Sequence, residues 1–108
     1  MDRNEFGGLL VEVHERISAL NQTKGVEYAG HDDALENFKR HASALGLKPE
    51  QIWAVYASKH WDAIISYVRT GAVLSEPIEG RILDCVLYLC LLLGLERERM
   101  APEIGPGS

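Results

Sequence analysis

The chain reads as an all-α fold, a single domain of about four helices. Apolar residues recur every three or four positions along most of it, and the breaks between these runs hold glycine or proline. A length of 108 residues leaves room for one core and not two. An apolar fraction of 46% with 25% charged residues is ordinary for a folded globular protein.

The first helix is expected over roughly residues 3–21, because Phe6, Leu9, Leu10, Val13, Ile17 and Leu20 fall on one helical stripe. A linker over Asn21–His31 then interrupts the pattern with Gly25, Tyr28 and Gly30. It is long for a helix–helix connection, and such loops often carry function.

Asp32 or Asp33 is placed to cap the second helix, and Asp33 with Glu36 has capping-box spacing. Its inner stripe is Leu35, Phe38, Ala42 and Leu45, and Gly46 is suited to end it. Pro49 opens the third helix, which runs to about Thr70 and stops at Gly71. Trp53, Ala57, Trp61, Ile64, Ile65 and Val68 are its expected inner face.

Pro77 opens the fourth helix, Ile78 to about Arg99. From Ile82 to Leu93 every residue except Asp84 is apolar or aromatic, so this helix is hydrophobic all round and calls for burial on most sides. In so short a chain that cover is hard to supply from within, and a homodimer packed on the last helix is the expectation. One domain over 1–100 with a Pro- and Gly-rich flexible tail over 101–108 completes the organisation.

Composition excludes several roles. With 16 acidic against 11 basic residues the chain is not expected to bind a nucleic-acid polymer, which needs a basic stripe. The apolar run from Ile82 to Leu93 is too short to span a bilayer. No leader pattern is read at the start, so the expected location is cytoplasmic. Cys85 and Cys90, five apart on a helix, point about 140° from each other. They read as small buried hydrophobes in a reducing compartment. There is no Gly-rich phosphate loop, zinc-type His/Cys spacing or nucleophile elbow.

Asp84 is the most informative position. An ionised, unpaired carboxylate inside an apolar helix costs several kcal/mol. Either it meets a local partner, Arg81 one turn before or Tyr88 one turn after, or it faces a metal or ligand. Glu79, in the first turn, is favoured there by the helix dipole alone. The Glu76/Glu79 and Glu12/Glu15 pairs share helix faces and suit magnesium, though a solvated face explains the second pair more simply. On the third helix His60 lies in the apolar arc, where a core role is the plainer reading. Lys59 lies at its border and is the better placed to meet a phosphate or Asp84. Lys39 and Arg40 follow the start of the second helix, where anions are attracted, but they also fit a solvated face.

The order Lys24-Gly25-x-x-Tyr28, Asp33, Asn37-Phe38, Lys59-His60 and Glu79-x-x-x-x-Asp84-x-x-x-Tyr88 resembles small phage and bacterial proteins of the nucleotide-modification-associated type. These are similar in turn to MazG-like all-α nucleoside triphosphate pyrophosphatases. The resemblance spans residues 20–95. It implies a helical bundle, often dimeric, with an acidic magnesium site for nucleotide phosphates. On that basis Glu79 and Asp84 would be the catalytic and metal-binding acids, with Glu36 as a further ligand and Lys59 as the facing cation. Tyr28 and Asn37 would line the nucleotide end, while in a binding module without chemistry Lys39, Lys59, His60 and Arg81 would hold the ligand with Tyr28.

The chain departs from that pattern. The second helix offers only Glu36 where a pair of acids is expected, and Glu79 and Asp84 stand five apart, about 140° around the helix. Three functions therefore stand open: a magnesium-dependent nucleoside triphosphate pyrophosphatase, a non-catalytic phage counter-defence protein that sequesters a nucleotide or cyclic nucleotide, and a helical dimeric interaction protein.

Overall fold

A computed structural model describes residues 1–27, 33–72 and 77–101, with the backbone alone over 24–27. It contains four helices in chain order: α1 (Arg3–Glu27), α2 (Glu36–Leu45), α3 (Pro49–Thr70) and α4 (Ile78–Met100). The all-α reading holds, and the described residues contain no strand. No helix among them is long and apolar enough to cross a membrane. The expected tail lies outside the described residues beyond Ala101.

Local sequence explains most of the boundaries. Gly46 and Gly71 end α2 and α3 in the left-handed conformation (φ 68° and 72°), which glycine adopts without the Cβ clash. The Lys48 N–H donates to Gln51 Oε1 at 2.8 Å, and Pro49 then supplies a first-turn residue that needs no hydrogen-bond partner. Asp33 departs from its expected capping box. Its carboxylate accepts the Leu35 N–H at 2.9 Å and the Lys39 ammonium at 2.6 Å, and α2 starts later, at Glu36.

Two expectations need correction. The first helix does not stop at Asn21 but continues to Glu27, through the first half of the expected linker. Asn21, Gln22 and Thr23 are exposed, and the Thr23 hydroxyl donates to the Ala19 carbonyl at 3.0 Å, so polar residues extend the helix into solvent. The inner face of α3 is also turned from the expected one. Ile52 is buried, and Trp53, Ala57, His60, Ile64 and Tyr67 are half-buried, whereas Trp61, Ile65 and Val68 lie exposed on the flank. Leu45, expected on the inner stripe of α2, is exposed as well.

The helices order around α4. Its backbone approaches α3 along one side and α1 along another, while α2 approaches α3. Leu35, Phe38, Ala42, Ile52 and Leu95 form the buried cluster, joined by half-buried Trp53, Tyr88 and Leu91. Phe38 sits edge-on to Tyr56 and Tyr88, with centroids 6.2 and 6.3 Å away, a favourable aromatic geometry. The Trp53 indole donates to the Tyr88 carbonyl at 2.7 Å and locks α3 to α4. Leu83 and Leu87 are buried further up α4, but Ile82, Leu89 and Leu93 on the same helix are exposed in the single chain.

Candidate functional site

The seam between α3 and α4 collects the residues with chemical potential. His60 projects from the inner face of α3, and Asp84 meets it from α4, with Nδ1 3.6 Å from Oδ2. The Tyr88 ring, one turn beyond Asp84 on the same face, lies 5.0 Å from the imidazole at a tilt of 38°. Both members of the ion pair are mostly shielded, with side chains 20% and 24% exposed. The Asp84 carboxylate thus has a cross-helix partner, and it is His60 rather than Lys59 that meets it.

At 3.6 Å the pair is a polar contact rather than a hydrogen bond, and it is ionic only with a protonated imidazole. His60 Nδ1 is buried and has no hydrogen-bond partner among the described residues. A buried polar atom left in this state costs on the order of 1–3 kcal/mol, so the seam keeps hydrogen-bonding capacity that the single chain does not use. Burial, and then the neighbouring Asp84 charge, push the Cys85 thiol above its ordinary range, which makes it a poor nucleophile.

The other candidates are spread across the molecule. Lys59 is exposed, its ammonium 5.8 Å from the Tyr56 ring centroid on the same helix. Arg81 is half-buried on α4, one turn before Asp84. Lys39 bridges Asp33 at 2.6 Å and Glu98 at 2.9 Å, tying the start of α2 to the end of α4. Asn37 is exposed and accepts from Arg40 at 3.2 Å. Tyr28 and Glu76 lie outside the described residues.

The acids implied as magnesium ligands do not gather in one chain. Glu79 pairs with Arg16 of α1 at 3.1 Å, Asp84 faces His60 of α3, and Glu36 opens α2. Among the described residues no group of three or more His, Cys, Asp or Glu is arranged to hold a metal ion.

Lys59-His60 and Asp84-x-x-x-Tyr88 were legible as motifs and Lys59 was expected to face Asp84, but that His60 makes the contact instead depends on the register between two helices. Tyr88 was visible in the sequence as a possible partner of Asp84, one turn after it. The chain matches no protein-family profile, no curated protein and no solved structure.

Proposed function

We propose that this protein binds a nucleotide at the α3/α4 seam and holds it without chemistry. One observation carries the reading: His60 of α3 meets Asp84 and Tyr88, one turn apart on α4, in a shielded polar cluster with an unused buried nitrogen. Asp84 is suited to accept from a ribose hydroxyl or an exocyclic base amine, and His60 to bond a base edge. Lys59 and Arg81 stand next to this cluster in sequence and on its helices, as cations for phosphate. Sequestration is favoured over hydrolysis because Glu79 and Asp84 are engaged at different seams.

The test is a thermal-shift screen of linear and cyclic nucleotides with and without magnesium, followed by chromatography of the recovered ligand. A bound ligand raises the melting temperature by mass action. A magnesium-independent rise with the ligand recovered intact, lost in Asp84→Asn and His60→Ala, is the expected result. Cleavage that requires magnesium would replace this reading with the pyrophosphatase that the resemblance implies. Absence of any shift would leave the interaction-protein reading, which the exposed apolar residues of α1, α3 and α4 favour.

A further inference from the structure

The exposed face of α4 carries a pattern that its buried face does not share. Ile82, Val86, Leu89 and Leu93 are spaced by four, three and four residues, the alternation of a coiled-coil seam. At 100° per residue they fall within an arc of about 60°, on the side of the helix away from Leu83 and Leu87. Ile82, Leu89 and Leu93 are 45%, 60% and 54% exposed, so the described residues leave about half of each uncovered. The stripe is about 16 Å long.

Charge at its two ends says what covers it. Glu79 and Arg97 project from the same edge of the stripe, one before it and one after. The Glu79 carboxylate is 68% exposed beside Arg16 and keeps acceptor capacity, while Arg97 has no ion-pair partner among the described residues. An antiparallel copy of α4, with its two-fold axis between Val86 and Leu89, sets Ile82 against the partner's Leu93 and Val86 against the partner's Leu89. The same register brings Glu79 to the level of the partner's Arg97, twice by symmetry. A parallel copy would instead stack Glu79 on Glu79 and Arg97 on Arg97, and would align the two helix dipoles.

We infer that the protein is a homodimer closed by antiparallel α4 helices, with Ile82, Val86, Leu89 and Leu93 as its seam and Glu79–Arg97 contacts at both ends. This inference stands apart from nucleotide binding, since mass is read without ligand. Size-exclusion chromatography with light scattering is expected to give twice the 12.0 kDa chain mass. Leu89→Glu, at a position exposed in the folded chain, weakens association on the order of a hundredfold by burying a charge in the seam. Val55→Glu, exposed on α3 and off the stripe, leaves the dimer intact. Arg97→Glu weakens the dimer, and adding Glu79→Arg restores it. A monomeric wild type, or a Leu89→Glu variant that stays dimeric, overturns the interface. Failure of the double reversal to restore association overturns the antiparallel register.

Discussion

Trp53 shows how much one side chain can settle. Its indole packs beside the buried cluster and donates to the Tyr88 carbonyl, so it fixes both the distance and the register of α3 against α4. Trp53→Phe keeps most of the apolar area and removes the donor. Urea unfolding is expected to show a loss of about 1 kcal/mol. Because the same register sets the His60–Asp84 distance, the variant also loosens the candidate site. Gly94 gives the opposite sign. A methyl group there would meet the Leu35 side chain at 3.7 Å, ordinary contact distance, on a helix interior that glycine weakens. Gly94→Ala is expected to stabilise by about 0.5–1 kcal/mol, read as a rise in melting temperature. At this scale the sequence was only half legible. Pro49, Gly46 and Gly71 announced helix ends through chemistry that belongs to single residues. The partners of Asp84, Lys39 and Glu79 each come from another element, and no local pattern encodes them.

At the scale of elements, α2 is the shortest helix and relies on its attachments. Phe38 and Ala42 anchor it through the core, and Lys39 ties it to Asp33 and to Glu98 of α4. The hydrogen bond from Lys39, then the one from the Leu35 N–H, hold Asp33 below the usual carboxylate range. The bonds to Asp33 and then Glu98 raise Lys39 above its own ordinary value. For Asp33, whose folded value is depressed, the contribution is present above the ordinary carboxylate range and is lost as pH falls through the folded value. For Lys39, whose folded value is raised, it is complete below the ordinary lysine range and is lost as pH rises through the folded value. Both groups are more than a third exposed, so screening limits the whole bridge to at most about 1 kcal/mol. Lys39→Met is expected to lower stability by that order at neutral pH. The difference from wild type should shrink below the carboxylate range, as followed by urea midpoints across pH. The inner face of α3 is likewise set between elements. Its apolar arc is wide enough to offer two inner faces, and packing against α2 and α4 selects the one centred on Trp53 and His60, leaving Trp61 and Val68 outside.

For the whole molecule, the distribution of burial separates α1 from the rest. Among the described residues the buried apolar ones are Leu35, Phe38, Ala42, Ile52, Leu83, Leu87 and Leu95, and none comes from α1. Among the described residues helix α1 approaches α4 alone, through half-buried Leu9, Val13, Ile17 and Leu20 and the exposed Arg16–Glu79 pair, while Phe6 and Leu10 stay in solvent. Gly7 and Gly8 further weaken it, each losing on the order of 1 kcal/mol of helix propensity against alanine. The chain is thus a three-helix core with a helical arm laid along α4. Periodicity predicted the arm's existence and left its subordinate role unread, since a stripe of apolar residues does not say how much of itself becomes covered. Removing residues 1–23 should therefore spare the core. The shortened chain is expected to keep a single cooperative thermal transition and the near-ultraviolet dichroism of Trp53, at a lower midpoint. Loss of the transition would mean that the half-buried stripe of α1 holds the bundle together after all, and the division into core and arm would have to be abandoned.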